Sequence, residues 1–499
     1  MFFSPIDETR GAMKREIAAL LLIMVTAIGF YYLVTADMNA IPKFVITVLL
    51  LLASSFSLQG LLKIEGEYGL LLVRTTKGLD TLDKIARLSP RFWKTVADAG
   101  LVFGYGISSI FIFKELPRKT FIISLLSLII VSQLILPATA PLALELFPLP
   151  MGSRALSFTS GQADPLIALV LYLIYLSLLF GGVALFAIAG VMLHAFRILF
   201  VTAVYLLSVL QQRVDGGVLQ TIGPGAGPVL PGITIPFVEG IIALAVLLVV
   251  HECAHGILAR AERIALRSAG LVFFGILPFG AFVDPDEKQL QRAKEEKQHR
   301  VLVAGSTANI ITGIAVFFLL ALFSWWALSA YPNPEVGKSY VVITGVLANS
   351  SAEGHLSAGM RIIEWNGHRI TSIQDFAVVA NKTKEDDIVN VTTDAGSFSL
   401  RAGAGGKVGV MLGERSLTLG GWLRELSERG VWLPLFLFNL LALTFVLNIL
   451  IGIVNLLPIP PFDGYRIAAL VIRNETVMKA IVITIVVFFL VNFLPWAWV

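Results

Sequence analysis

Apolar stretches of about twenty residues recur along this chain, and each is the length of one helix through a hydrocarbon core roughly 30 Å thick. Ile17–Thr35, Phe44–Leu62 and Thr120–Leu136 qualify directly. Ala97–Phe113 is weaker, being rich in Gly and Ser, while Leu166–Leu210 is long enough for two helices without a loop to divide it. Val238–Ala259, Val301–Leu328, Val431–Leu457 and Val477–Pro495 complete the series. Only 14% of the 499 residues are charged, against roughly a quarter in a soluble domain. The fold expected is therefore a multi-pass α-helical membrane protein of about nine transmembrane helices. Arg10, Lys14 and Arg15 precede a first run too long for a signal-peptide core, so that run reads as an anchor. The net charge of +4 is spread along the chain with no basic, aromatic-interleaved cluster, which argues against a nucleic-acid partner. A single cysteine, Cys253, excludes intramolecular disulfides and Cys-rich metal sites.

Two segments break the helical series. Leu271–Val283 is apolar but short, and Gly275, Pro278 and Gly280 interrupt it. It is expected to form a re-entrant hairpin buried against protein, because irregular backbone at membrane depth must find its hydrogen bonds internally. From Tyr331 to about Arg424, Asp, Glu, Lys, Asn and Thr return, and Asp387–Thr393 alternates as a half-buried strand does. This reads as a small extramembrane α+β domain inserted between helices. The Gly- and Pro-rich run Gly223–Pro228 separates the two halves. The expected division is 1–235 as an N-terminal multi-span region, 236–330 and 425–499 as two parts of one core, and 331–424 as the insert.

Lys and Arg in short loops set orientation. Arg260, Arg263, Arg267, Lys288, Arg292, Lys294, Lys297 and Arg300 crowd one loop, and Arg466, Arg473 and Lys479 another. Both loops are expected on the cytoplasmic side of the plasma membrane, with the insert outside. A cytoplasmic N-terminus then requires an odd number of crossings before Val238. Six candidates precede it, and Ala97–Phe113 is the one expected not to cross.

The chemistry concentrates in His251-Glu252-x-x-His255, at the end of the span Val238–Ala259. Two His four residues apart project from one helix face and can share one zinc, while Glu252 beside them can take the proton of a water the metal activates. Cys253 points to the opposite face and reads as a small buried hydrophobe. Ionisable groups inside a span are costly, which favours a functional reading over passive packing. A catalytic zinc needs a third protein ligand. His355 and His368 fall in the insert, His194 reads as a core or interface residue, and His299 as a surface residue at a helix start. Asp463 is the better candidate, because it follows the Pro458–Pro461 break at the depth the loop charges assign to His251 and His255. Read alone, Asp463-Gly464 is a turn.

His251-Glu252-Cys253-Ala254-His255-Gly256, taken with Asn455, Pro458-x-Pro460 and Asp463-Gly464, resembles the site-2 protease family of intramembrane zinc metalloproteases. Gly305-Ser306-Thr307-Ala308-Asn309 resembles that family's Gly-x-x-x-Asn motif. The insert is similar to a PDZ domain around Asn349–Glu353 and Ala358–Gly367, with Met360 where Asp is usual. The resemblance covers roughly residues 235–499. It implies an enzyme that cleaves transmembrane protein substrates in or near the bilayer, as in regulated intramembrane proteolysis. His251, His255 and Asp463 would hold one Zn2+ per chain, and Glu252 would be general base and proton shuttle. Asn455 and Asn309 match family positions that contact substrate or steady the transition state, with interhelical hydrogen bonding the other reading of Asn309. The PDZ-like insert would contact substrate or gate access. Another membrane zinc protease class, or a scaffold working through the PDZ-like domain, are the alternatives.

Overall fold

The computed structural model describes residues 5–36, 38, 40–67, 69–146, 165–211, 219, 222–227, 229–232, 234–347 and 350–497. Pro228 of the Gly/Pro run and Asn349 of the PDZ-resembling stretch lie outside the described residues. In chain order the elements are α1 (Pro5–Thr35), α2 (Ala40–Leu62), β1 (Glu65–Glu67), β2 (Leu70–Thr75), α3 (Leu79–Leu88), α4 (Pro90–Tyr105), α5 (Ser109–Ile112), α6 (Arg118–Leu146) and α7 (Pro165–Leu210). Then come α8 (Phe237–Ala261), β3 (Leu266–Phe274), β4 (Leu277–Pro285), α9 (Glu287–Arg292) and α10 (Glu295–Ala330). The next group is β5 (Ser339–Val346), β6 (Arg361–Trp365), β7 (His368–Arg369), α11 (Ile373–Ala380), β8 (Ile388–Thr393), β9 (Gly396–Arg401), β10 (Val410–Ser416) and α12 (Leu419–Glu428). Last are α13 (Leu433–Val454), α14 (Asp463–Val471) and α15 (Glu475–Val491). Two compact units result, Met1–Leu319 with Asn439–Val499, and Leu320–Phe438.

Among the described residues nine helices are long and apolar enough to cross a membrane, five of them before α8. Ala97–Phe113, the segment expected not to cross, overlaps one of them, Pro90–Ile112, in all but its last residue. Its glycines thin its hydropathy but serve packing. A Cβ on Gly100 would collide with Thr307 of α10, and one on Gly104 would lie 3.3 Å from Leu456. The Leu166–Leu210 run supplies one candidate rather than two, Tyr175–Leu210, broken at Gly182 (φ 63°, ψ −162°). Gly182 and Gly106 (φ 57°) abut backbone to backbone, so each must lack a side chain.

In the larger unit, Leu271–Val283 lies within a β-hairpin, β3–β4, turning at Gly275 (φ 61°). Nine-residue strands suit this stretch because Gly270, Pro278 and Gly280 oppose a helix. The Gly275 N–H donates to Ser55 Oγ (2.7 Å), tying the turn to α2. Strands β1 and β2 extend the hairpin into a four-stranded antiparallel sheet, ordered β1-β2-β3-β4, with Leu70 opposite Phe274 and Thr75 opposite Ala269. Strands β1 and β4 are its two edges.

Helices α3, α4, α8 and α10 share one apolar core that includes Leu101, Ile257, Leu258, Leu302 and Val303. A buried ionic cluster runs through it. Arg300 donates to both carboxylate oxygens of Asp98 (2.7 and 2.9 Å) and lies 3.3 Å from Glu262, which Lys94 also meets at 3.1 Å. The neighbouring His299 is 6% exposed and edge-on to Phe113 at 4.8 Å, not the surface residue expected, because the charges around it pair with one another rather than with water. Removing Asp98 leaves the buried Arg300 one carboxylate short, and such losses cost about 3–5 kcal/mol. Asp98→Ala should therefore lower the unfolding midpoint of the detergent-solubilised chain markedly, and an unchanged midpoint would refute the assignment.

The smaller unit carries a six-stranded sheet ordered β10-β5-β6-β8-β9, with β7 paired to β6. Its core includes Val341, Ile343, Ile362, Trp365, Val389 and Val391. The alternation seen at Asp387–Thr393 is strand β8, in which Val389 and Val391 point inward. Helix α11 starts with a capping box formed by Ser372 and Asp375.

Candidate metal centre

Helix α8 places His251 and His255 one turn apart on one face. Gly256, the next residue, lets Leu82 of α3 and Val283 of β4 come close, since a Cβ there would sit 2.9 and 3.2 Å from their side chains. That approach brings the β4 edge to Glu252, whose Oε2 accepts the Val283 N–H at 2.9 Å.

Asp463 arrives from the other end of the chain. Helix α13 ends at Val454, and Pro458, Pro460 and Pro461 turn the backbone before α14 begins at Asp463. The Gly464 N–H donates to the Asn455 carbonyl (2.7 Å), and Gly464 itself lies against the Leu456 carbonyl, where no Cβ fits. Asn455 thus fixes, through its backbone, the loop that carries Asp463.

The three side chains converge. His251 Nε2 and His255 Nε2 are 3.2 Å apart, and Asp463 Oδ2 lies 3.3 and 3.2 Å from them. Zinc bound tetrahedrally at about 2.0–2.1 Å separates its ligands by about 3.3 Å. The triangle is thus one face of such a tetrahedron, and the donor set of two imidazoles and a carboxylate fits zinc. Gly305 of α10 completes the cradle. A Cβ on it would overlap the His251 ring and stand 2.5 Å from His255 Nε2.

Two contacts orient the imidazoles. His255 Nδ1–H donates to the Val301 carbonyl (2.7 Å), which turns its Nε2 to the centre. The Asn309 amide, fully buried, meets His251 Nδ1 at 3.1 Å. Its Oδ1 is otherwise without a partner, and with that oxygen forward it accepts the Nδ1–H and leaves Nε2 for a metal. Two imidazoles and a carboxylate turned to one point form a donor set for a cation.

Among the described residues, His251, His255 and Asp463 form the one group of His, Cys, Asp or Glu side chains arranged to hold a metal. Of the other histidines, His194 lies 3.1 Å from the Gly223 carbonyl, and His355 and His368 belong to the smaller unit. Cys253 is half-buried against the apolar core. Sequence reasoning missed strands β1 and β2 and the packing of α3 and α4 against this centre. The glycines of Ala97–Phe113 were the available signal.

A family model described as Peptidase family M50 matches residues 239–493, just over half of the chain. An uncharacterized protein of Methanocaldococcus jannaschii is 29% identical over 240 residues, which cover 47% of this chain and 58% of the relative. The alignment thus spans under two thirds of that protein's length. The candidate crossings, the metal-compatible triad and the extent of the family match lead to one assignment: the chain belongs to Peptidase family M50, the site-2 protease family of membrane metalloproteases.

Proposed function

We propose that this chain is an intramembrane zinc metalloendopeptidase that hydrolyses peptide bonds in or near transmembrane segments of membrane proteins. The observation that carries the reading is the convergence of His251, His255 and Asp463 beside Glu252 at the open edge of β4. Zinc held by these three residues, one ion per chain, would polarise the scissile carbonyl and acidify a water beside it. Glu252 takes the proton of the attacking water and returns it to the leaving amine. Asn309 and Val301 hold the two imidazoles in register. Asn455 fixes the Asp463 loop through its backbone, and its side chain would contact the substrate, as the family resemblance implies.

A helical substrate hides its carbonyls, so scission requires an extended segment. Strand β4 offers the template for it. Because the Val283 N–H turns outward to Glu252, its alternate neighbour Ala281 also presents its N–H to the open side, away from Leu271 of β3. A substrate strand laid on β4 would run toward the catalytic base. In this reading β3–β4 is the re-entrant element, and the centre lies near the cytoplasmic face of the plasma membrane. The smaller unit is a PDZ-like domain on the outer side that contacts substrate or gates access.

The test uses the full chain in bicelles with single-span peptides. One zinc per chain should be measured, and cuts within the apolar segment should stop on chelation and return with zinc. Cuts that persist in metal-free protein would overturn the reading. Ala281→Pro removes an outward N–H without breaking a ladder bond to β3. It should slow cleavage of helical peptides about tenfold, the worth of one hydrogen bond. Equal rates would exclude strand addition at β4.

A further inference from the structure

Helix α4 precedes the residues matched by the family model, yet its Asp98 reaches the metal ligands through a short chain of contacts. Arg300 of α10 donates to both Asp98 oxygens. Its backbone neighbour Val301 supplies the carbonyl that receives His255 Nδ1–H at 2.7 Å. Arg300 also lies 3.3 Å from Glu262, the residue that caps α8, so α8 and α10 are joined twice. Asp98, Glu262 and Arg300 are all buried.

Stability alone does not account for this arrangement. Replacing a buried ion pair by apolar side chains of similar volume is often neutral or stabilising, because desolvation cancels much of the attraction. What the guanidinium adds is direction, since its planar fork grips a carboxylate in a fixed geometry. Direction matters at this point of α10. The helix begins at Glu295, only a turn and a half before Val301, and helix ends fray unless they are held. N–H···O bonds span about 2.7–3.2 Å, so a shift of the Val301 carbonyl by more than roughly 0.5 Å takes its contact past that range. The His255 ring would then be free to rotate away from the point its Nε2 shares with His251 and Asp463.

We propose that Asp98 and Arg300 are positioning residues of the metal centre: the pair fixes the Val301 carbonyl, and that carbonyl fixes His255. A helix outside the family match thereby sets the direction of a metal ligand inside it.

This assignment rests on the zinc reading above, and readouts of metal binding separate the two. The full chain in bicelles is titrated with zinc against a competing chelator, and with cobalt for its visible absorption. Asp98→Leu/Arg300→Met replaces the pair by apolar side chains, leaving Glu262 with Lys94 and Lys297 and the part-exposed Glu296 to solvent. It should keep the wild-type unfolding midpoint while zinc affinity falls about tenfold, the lower range for losing the support behind a ligand, and cobalt absorption shifts. Arg300→Lys keeps the charge and loses the fork, and should change affinity and absorption in the same direction. Leu58→Ala, in a separate apolar cluster with Ala19 and Leu71, is the control, lowering the midpoint but leaving affinity and absorption unchanged. Wild-type zinc affinity or cobalt absorption in either pair variant would overturn the assignment, as would an equal loss of zinc affinity in Leu58→Ala. Arg300→Lys decides alone if the double variant does not fold. If the wild-type chain binds zinc but cuts no single-span peptide, the hydrolytic reading fails and the metal readouts still judge the pair. If it binds zinc and cuts, and Arg300→Lys matches it in affinity and absorption, the positioning assignment alone fails.

Discussion

Glu252→Gln is expected to reduce peptide hydrolysis about 10⁴-fold, the upper range for loss of a general acid–base group, while the protein still binds one zinc. The two side chains have nearly the same shape. Glutamine keeps an oxygen that accepts the Val283 N–H, so the β4 edge and α8 stay in place. The amide cannot take a proton from water or hand one to an amine. Because Glu252 does not join the His251, His255 and Asp463 triangle, metal content should be preserved. Zinc per chain by mass spectrometry and cleavage of a single-span peptide check both halves. Lost activity together with lost zinc would mean that Glu252 serves the metal rather than the proton.

Gly305→Val should have the reverse signature, zinc lost and hydrolysis lost together. The first carbon added at Gly305 already intrudes on the His251 ring and on His255 Nε2. The rings cannot swing aside freely, since Val301 holds one and Asn309 the other. Helix α10 cannot easily retreat either, because Gly452 of α13 lies 3.2 Å from Asn309 and Ser306 as measured from its Cβ position. Gly190→Ala is the control, since nothing lies within 4 Å of a Cβ there. Full zinc occupancy in Gly305→Val, measured on protein purified without added metal, would refute the packing account.

How much was legible before the fold depended on the range of the interaction. His251, Glu252 and His255 are local: a helix period of about 3.6 residues alone puts the two imidazoles on one face. Asp463 needed an argument from depth, and depth cannot say that two side chains touch. His299 was misjudged because Glu295, Glu296, Lys297 and Arg300 around it look like a solvated turn. Arg300 instead pairs with Asp98, 202 residues away, and the helix start is buried. Strands β1 and β2 went unseen because they are short and carry Glu65, Glu67 and Arg74, and β3, which β2 joins, comes almost 200 residues later.

By itself the sequence determined the membrane-spanning character, the zinc-compatible motif and its resemblance to the site-2 protease family, since runs of apolar residues and i,i+4 spacing are properties of the chain taken one turn at a time. The tertiary structure decided what closes the centre. Gly464 must pack on Leu456 before Asp463 can reach the imidazoles, and Gly305 must be bare before an ion can fit. Gly100, Gly104 and Gly106 must lack side chains before α4 can pack on Thr307, Leu456 and the Gly182 break of α7. These are close approaches of bare glycines, most of them to segments far away in sequence, and only assembled packing specifies such contacts.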